Sequence, residues 1–248
     1  MKLLLLYLVT LIALSCATET PTGKTEAEVL YKEAKILIAD ERFILATEKL
    51  NQLKNRYPYS FFATPAELLQ ADILFEQENF VEAAAAYLLF KDFHPKHKEI
   101  PYVVYKIAES YYAQVPETED RDLQSAVEAS KYYREILRSY GNSSYSVDAK
   151  VKIDKCEQML IGKEKYVADF YFKTKKYDAA TWRYLDILSN INDKKVRAHS
   201  MLRVISSTLK SHDYEKCISY ADRYFQFLEK EDKINAEKLK SECRKKLN

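Results

Sequence analysis

The chain has 248 residues, of which 47% are hydrophobic and 31% are charged, and it contains only 3 glycines. So few glycines exclude a glycine-rich phosphate-binding loop of the usual kind, and they favour a protein built from helices. The 39 basic residues are balanced by 37 acidic ones, which excludes the excess of positive charge with which proteins bind nucleic acid.

Residues 1–15 have the pattern of a secretory signal peptide. The apolar stretch Leu3–Leu14 is shorter than the ~20 residues that a membrane-spanning helix needs. It ends at Ala13-Leu14-Ser15-Cys16, which resembles the lipobox of bacterial lipoproteins, although an ordinary signal peptide with a chance cysteine is the alternative. We predict cleavage before Cys16, lipidation of that cysteine by N-palmitoyl and S-diacylglycerol groups, and a polar tether over residues 16–24.

Two stretches in the first half of the chain repeat one pattern. Ala34 and Ala71 are 37 residues apart, and other apolar or proline positions match at the same spacing. These pairs are Phe43 with Phe80, Ala46 with Ala83, Leu53 with Phe90, and Pro58 with Pro95. Apolar residues within each stretch have helical spacing, and the short segment Asp40–Arg42 separates two helices. The pattern predicts a helix–turn–helix unit that resembles the tetratricopeptide repeat and must stack on neighbours to bury its apolar faces.

The repeat continues along the chain with one interruption. The third repeat begins on schedule at Ala108, but its second helix comes nine residues late, after the acidic segment 116–122. Next we predict a helix over Tyr145–Leu160 that Gly162 closes, then two further repeats, and finally a charged helix over Lys230–Lys246 as a polar end cap. The predicted fold class is therefore all-α, a tetratricopeptide superhelix of about five repeats.

We group the predicted elements into two segments. Residues 25–143 carry the N-terminal repeats one to three, and Gly141-Asn142-Ser143-Ser144 ends the third repeat. Residues 144–248 carry the C-terminal helix, repeats four and five and the capping helix. Both segments belong to one continuous array, because each repeat buries its apolar faces against the next.

No group of residues has the spacing of an active site or a metal centre, so we predict that the protein is not an enzyme and needs no metal or cofactor beyond the lipid on Cys16. His94 and His97 flank a proline turn and do not share a helix face. The acidic run Glu117–Asp122 lacks the turn glycine of a calcium loop. Both are predicted to be ordinary turn or loop residues.

The three cysteines after Cys16 do not form a C-x-x-C pair, which disfavours a structural zinc site. Cys217 occupies the small-residue position of repeat five, so we predict a buried thiol that packs as a small hydrophobe. A disulfide between Cys156 and Cys243 stays open, because the sequence does not show whether the two lie together.

The 20 tyrosines admit two interpretations. Most are expected to pack between helices, where a rigid amphipathic ring fits well. Some of those in the first repeats are predicted to line a groove for an extended peptide that ends in an aromatic residue. The predicted groove residues are Tyr31, Tyr57, Tyr59, Phe62, Tyr102 and Tyr105.

From about Ala27 to Ala221, the order and spacing of short motifs are similar to those of one family. After the lipobox these motifs are Leu30-Tyr31 with Ala34, Asn55-Arg56-Tyr57-Pro58, Phe93-His94-Pro95-Lys96-His97, Tyr102 with Tyr105, Asp120-Arg121-Asp122 with Ala126, Tyr145-Ser146-Val147-Asp148-Ala149, and Val167-Ala168-Asp169-Phe170-Tyr171-Phe172. The chain resembles the BamD family, the tetratricopeptide lipoproteins of the outer-membrane β-barrel assembly (BAM) machinery. It departs from the family pattern at Gly141, usually a proline, and in a shorter insertion in repeat three.

The resemblance implies an outer-membrane lipoprotein on the periplasmic face of a Gram-negative-type bacterium, held to the membrane by its lipid anchor. It implies a scaffold on a BamA-like barrel protein, bound through a POTRA domain, together with accessory BAM lipoproteins. It also implies a receptor for the C-terminal signal of unfolded outer-membrane proteins. Arg183 matches the BamA contact and Tyr57 matches the substrate pocket. The alternative is a periplasmic tetratricopeptide adaptor lipoprotein for cell-wall or division proteins.

Overall fold

The computed structural model describes residues 21–248, which are all-helical and contain no strand. The α-helices are α1 (Glu26–Ala39), α2 (Phe43–Arg56), α3 (Ala63–Glu76), α4 (Phe80–Phe93), α5 (Ile100–Tyr112), α6 (Gln124–Ser139), α7 (Ser146–Lys173), α8 (Tyr177–Asn190), α9 (Lys194–Lys210), α10 (Tyr214–Tyr224) and α11 (Lys230–Leu247). The predicted all-α tetratricopeptide fold is confirmed. None of these helices is both long enough and apolar enough to cross a membrane. The predicted signal peptide and Cys16 lie outside the described residues.

The helices form five helix–turn–helix repeats and a final helix. The repeats pair α1 with α2, α3 with α4, α5 with α6, the C-terminal half of α7 with α8, and α9 with α10. Pro58 lies just after α2, where its missing amide hydrogen disfavours a further helical turn. Helix α11 packs against α9 and α10, and it buries only Ala236 and Cys243.

The described chain forms two compact units. The N-terminal unit ends at Val103 and the C-terminal unit begins at Val104, so the division lies within α5. The N-terminal unit has a core that includes Leu30, Leu50 and Leu53. The C-terminal unit has its own core, which includes Tyr184, Ile187, Val204 and Ile205. The predicted grouping into residues 25–143 and 144–248 concerns repeats and stays a prediction.

Four repeats share the same turn between their helices. One residue in each turn has a left-handed backbone, with φ between 57° and 64°. These residues are Glu41, Glu78, Lys175 and His212. In the first turn, Arg42 N–H donates to the carbonyl oxygen of Leu37 at 2.8 Å, as in a Schellman helix end. Glu41 and Glu78 are 37 residues apart, as are Lys175 and His212, so the predicted period is also visible in the backbone.

The three inner repeats share a buried tyrosine that donates a hydrogen bond to a carboxylate on the preceding helix. The pairs are Tyr87 with Asp72, Tyr133 with Glu109, and Tyr184 with Asp169. Burial, aided by the carboxylate, raises the pKa of each tyrosine, so the phenol stays neutral and remains a donor. The matching residues of repeats one and five are Leu50 and Ala221, which carry no hydroxyl group.

Each of these carboxylates also bonds to the helix that opens the next repeat. Tyr102 on α5 donates to Asp72 at 2.8 Å, and His199 on α9 lies 2.7 Å from Asp169. Lys152 on α7 donates to Glu109 at 2.5 Å. One carboxylate in each inner repeat therefore joins three consecutive helices.

Helix α7 corrects one prediction. The sequence predicts that Gly162 closes a helix, but α7 runs unbroken over 28 residues, from Ser146 to Lys173. An interior glycine costs only about 1 kcal/mol relative to alanine. Packing of α7 against α6 and α8 outweighs that cost, so the prediction at Gly162 is wrong.

Gly162 instead makes room for the insert, residues 113–123, which connects α5 and α6. A Cβ atom at Gly162 would lie 2.9 Å from Glu119 Cγ, so a larger residue would require the Glu119 side chain to move. Next to it, Lys163 Nζ donates to the carbonyl oxygens of Asp120 and Arg121 at 3.0 and 2.9 Å. The insert is thereby fastened to α7.

The cysteines correct a second prediction. Cys217 is fully buried in its small-residue position, but it forms a disulfide with Cys243, and Cys156 is a buried free thiol. The predicted free thiol at Cys217 and the alternative Cys156–Cys243 bridge are therefore both wrong. The physical reason is the return of α11 along α10, which brings the two Cα atoms within 6.3 Å. Burial raises the pKa of the Cys156 thiol.

Candidate functional site

The N-terminal unit carries an open groove of about 830 Å³. It is lined by α1, the turn after α2, the first half of α3 and the connection between α4 and α5. The main apolar side chains are Tyr31, Phe61, Phe62, Leu68, Leu69 and Phe93. The volume is in the range of about 300–1,000 Å³ that is typical of ligand pockets.

One wall of the groove is a cluster of three aromatic rings. The Tyr31 and Phe62 ring centroids are 5.4 Å apart, and Phe61 contacts Phe62 edge to face at 5.6 Å. The turn after Pro58 positions this wall, because Phe62 N–H donates to Ser60 Oγ at 3.2 Å. Phe61 remains 85% exposed, so a partner that covers its ring would gain hydrophobic free energy.

The opposite side of the groove has basic residues beside aromatic ones. Phe93 is 75% exposed, and the rings of His94 and His97 pack against buried Phe90 at 4.8 and 5.2 Å. His94 Nε2 also lies 2.8 Å from a Glu67 carboxylate oxygen. Two exposed lysines, Lys96 and Lys98, line the same edge. Glu99 lines the same edge, 3.8 Å from Lys98 Nζ, so the arrangement offers an apolar slot beside an edge that carries two lysines and one glutamate.

The structure brings together two of the six predicted groove residues, Tyr31 and Phe62. Tyr57 does not line the groove, because its hydroxyl donates to Glu26 on α1. Tyr59 is fully exposed at 101% and also lies outside the lining.

The last two predicted groove residues donate hydrogen bonds to carboxylates instead. Tyr102 donates to Asp72 at 2.8 Å and does not line the groove. Tyr105 belongs to the C-terminal unit, where it donates to Asp148 at 2.7 Å and stacks on Tyr145 at 4.7 Å. The roles of these residues in substrate binding stay predictions.

Phe93 is a groove residue that the sequence prediction missed. Its signal is a large apolar residue off the core face of a helix, just before a proline turn. Phe61 carries a similar signal, just after Pro58. Tyr57 and Tyr59 flank the first of these turns but lie outside the lining, so a position beside the turn does not by itself identify a groove residue.

Arg183, the predicted contact for a BamA-like partner, is exposed on α8 in the C-terminal unit. Its neighbour Trp182 is the only tryptophan of the chain and is 75% exposed. Tryptophan and arginine are both enriched where proteins bind one another.

Comparison with known protein families identifies the family to which the chain belongs. The family described as YfiO, outer membrane lipoprotein, matches residues 24–201. The chain belongs to the YfiO family. The match covers the first four repeats and the start of α9, and therefore includes the groove and Arg183.

Relatives of this YfiO family member include three proteins named outer membrane protein assembly factor BamD. The protein of Rickettsia prowazekii is 28% identical over 189 residues, covering 75% of each chain. The protein of Neisseria gonorrhoeae is 27% identical over 218 residues, covering 81% of this chain and 82% of its own. The protein of Vibrio cholerae is 23% identical over 181 residues, covering 69% and 75%. The predicted resemblance to BamD is confirmed.

Among solved structures, the TPR2AB domain of yeast Sti1 in its complex with pHSP90 covers 91% of this chain and 85% of its own. The identity is 13% and the TM-score is 0.45. This structural similarity is too low to establish the fold. The repeat architecture instead rests on the helix pairs, turns and hydrogen bonds of this chain.

Within residues 21–248, no group of three or more His, Cys, Asp and Glu side chains is placed to hold a metal ion. The acidic insert of the YfiO family member bonds to its own chain: Thr118 donates to Asp120 at 2.5 Å, and Asp122 accepts from Gln124 N–H at 3.3 Å.

Proposed function

We propose that this YfiO family member is an outer-membrane lipoprotein of the β-barrel assembly machinery that acts by binding and not by catalysis. The observation that carries the proposal is the aromatic groove of the N-terminal unit, with Phe61 and Phe93 exposed at its mouth. The names of the relatives support the assembly role. The substrate is the C-terminal signal of an unfolded outer-membrane protein.

The chemistry of the groove suits a peptide that ends in an aromatic residue. Burying a large aromatic side chain contributes on the order of 2 kcal/mol. The terminal carboxylate of the same residue would lie toward the edge that carries Lys96 and Lys98, where opposite charges attract. The groove therefore recognises an end of a chain, and the aromatic ring and the carboxylate are both required.

Binding of a synthetic peptide with a terminal phenylalanine, followed by photo-crosslinking, tests this role. Phe62→Ala and Phe93→Ala should each weaken crosslinking, because they remove apolar walls of the groove. Tyr57→Ala tests the role that the family resemblance implies for that residue, and we expect reduced crosslinking there too. Phe227→Ala is a matched control, since Phe227 is 63% exposed and lies in the C-terminal unit. Equal crosslinking in both groove variants would remove the groove from substrate binding.

The scaffold role is assigned to the exposed surface around Arg183. We propose that Arg183 contacts the POTRA domain of a BamA-like barrel protein, and that accessory BAM lipoproteins bind elsewhere. Arg183→Glu should weaken co-purification with the BamA-like partner while the circular dichroism spectrum stays helical. Arg138→Glu is the control, because Arg138 is also exposed and also lies in the C-terminal unit. Unchanged co-purification of Arg183→Glu would contradict this placement.

The attachment to the membrane is assigned to lipids on Cys16. More than one acyl chain is needed for stable anchoring, and each buried methylene contributes about 0.8 kcal/mol. Cys16→Ala should therefore abolish labelling by radioactive palmitate and move the protein from the outer-membrane fraction to the periplasm. A variant that stays in the outer-membrane fraction would show that partners, and not lipids, hold the protein there.

A further inference from the structure

The C-terminal unit carries a second groove, of about 780 Å³, which the proposed function does not use. It lies between α9 and α11, and Tyr177 at the start of α8 also lines it. Four permanent cations line it: Arg203 and Lys210 from α9, and Lys238 and Lys246 from α11. Glu242 is the one acidic residue among its described lining residues.

These cations have no carboxylate partners within the part of the chain that the structure describes. Other lysines of α11 do find carboxylates, since Lys240 pairs with Asp222 on α10 and with Glu237 on α11 itself. A basic residue in the last helical turn, such as Lys246, is explained by the helix dipole. Arg203 and Lys238 lie in the middle of their helices, where the dipole gives no reason for a positive charge.

The Arg203 side chain is held in place. Its guanidinium carbon lies 4.3 Å from the centre of the Phe172 ring, a cation–π contact that orients the planar group. An oriented guanidinium loses less freedom when it binds a carboxylate, and its fork of N–H donors matches the two carboxylate oxygens. The groove is therefore arranged in advance for an anion.

The spacing of the cations favours an anion with several charges along its length. Arg203 and Lys210 are two helical turns apart, about 10 Å at 1.5 Å per residue, and Lys238 and Lys246 are about 12 Å apart. An extended peptide advances about 3.3 Å per residue, so carboxylates three or four residues apart span the same distance. The lining also includes Leu202, Leu209 and Leu239, which suit apolar side chains between the acids.

We propose that the α9–α11 groove binds an extended acidic segment of a partner protein, one with glutamates or aspartates spaced among apolar residues. The site is distinct from the aromatic groove and from Arg183, neither of which contributes to its lining. The charge of the acidic segment is opposite to that of the groove, and the attraction between the two weakens as the salt concentration rises.

Fluorescence anisotropy on the full chain in detergent tests the proposal. The probe is a labelled peptide of about twelve residues, long enough to span the groove, with four glutamates and two leucines. Its glutamine counterpart is the uncharged control. We expect binding of the glutamate peptide that weakens as salt is raised, and at least tenfold weaker binding of the glutamine peptide.

Charge reversal locates the site. Arg203→Glu with Lys238→Glu should weaken binding at least tenfold. Because Arg203 also packs on Phe172, Lys238→Glu with Lys246→Glu is a second pair that leaves the packing intact and should act in the same direction. The control pair is Lys195→Glu with Lys230→Glu, which makes the same charge change on exposed residues of α9 and α11 outside the groove. Glu242→Gln should strengthen binding.

Three results would overturn the proposal. They are equal binding by both groove variants and the control pair, equal binding of the glutamate and glutamine peptides, and binding to phosphatidylglycerol vesicles without binding to the glutamate peptide. The last result would assign the cations to a membrane surface. None of these outcomes depends on whether the aromatic groove binds a barrel peptide, so the two proposals fail separately.

Discussion

The inner and terminal repeats are held together in different ways. In each inner repeat a buried tyrosine and the next helix share one carboxylate, so three helices meet at one polar group. The terminal repeats have Leu50 and Ala221 at the tyrosine position, and repeat five is instead closed by the Cys217–Cys243 disulfide. Each inner repeat is therefore joined to the helix that follows it through a shared polar group, whereas the last repeat is joined to the final helix by a covalent bond.

Among the tests of this comparison, removal of the disulfide in repeat five should change the free energy of unfolding most. A bridge that closes a loop of 26 residues contributes about 3 kcal/mol, mainly by restricting the unfolded chain. Cys217→Ala with Cys243→Ala should lower the free energy of unfolding by about that amount in urea titrations. Dithiothreitol should destabilise the wild type similarly and leave the double variant unchanged. An equal response of both proteins would show that the bridge contributes little.

Removal of one tyrosine hydroxyl group tests the role of the shared carboxylate in an inner repeat. Tyr184→Phe keeps the buried ring but removes the donor to Asp169, and hydrogen bonds to charged groups contribute about 1.5–3 kcal/mol. We expect a loss of roughly 2 kcal/mol in the free energy of unfolding. Tyr220→Phe is the matched control in the same unit, because Tyr220 stacks on Tyr224 and makes no hydrogen bond to a carboxylate within residues 21–248. Equal losses in the two variants would show that the carboxylate pairing has no special role.

The same carboxylate predicts a dependence on pH. Burial alone would raise the pKa of Asp169, but hydrogen bonds from Lys165, Tyr184 and His199 outweigh it and lower the pKa from 3.8 to about 2. A lowered pKa in the folded state stabilises the fold above pH 4, and the contribution is lost as the pH falls toward 2. A shift of that size corresponds to roughly 2 kcal/mol. Asp169→Asn should therefore flatten the pH dependence of the free energy of unfolding between pH 4 and pH 2, and an unchanged slope would contradict the assignment.

The smallest expected effect concerns the turns that four of the repeats have in common. A side chain in the left-handed conformation costs about 1 kcal/mol, and glycine avoids this cost. Glu41→Gly and Lys175→Gly should each raise the free energy of unfolding by up to about 1 kcal/mol. Part of this gain is offset because glycine increases the conformational entropy of the unfolded chain. Glu48→Gly, inside α2, is the control and should lower stability by about the same amount. Destabilisation at both turn positions would mean that their side chains contribute more than the strain costs.

The sequence predicted what depends on local spacing. The 37-residue period located the turns at Asp40–Arg42 and in the later repeats, and it located the late second helix of repeat three, because apolar positions recur with each helix. The prediction that a helix ends at Gly162 was wrong, because packing on both sides of α7 outweighs the local preference for ending the helix.

Tertiary contacts explain the other differences. The Cys217–Cys243 bridge depends on how α11 folds back, which no spacing within the chain encodes. The aromatic groove was predicted only in part, since the direction of a ring depends on its bonding partner. Tyr57 turns to Glu26 and Tyr102 to Asp72, whereas Phe61 and Phe93 have no polar atom to satisfy and stay at the mouth of the groove.

The shared carboxylates limit how this protein can lengthen by duplication. A tandem copy of residues 63–99, one full period, would place Pro65 of the new copy where Asp72 of the old one now meets Tyr102. Proline has no side-chain donor, so the junction between the two copies would lack this bond, and a tyrosine, histidine or lysine at that position would restore it.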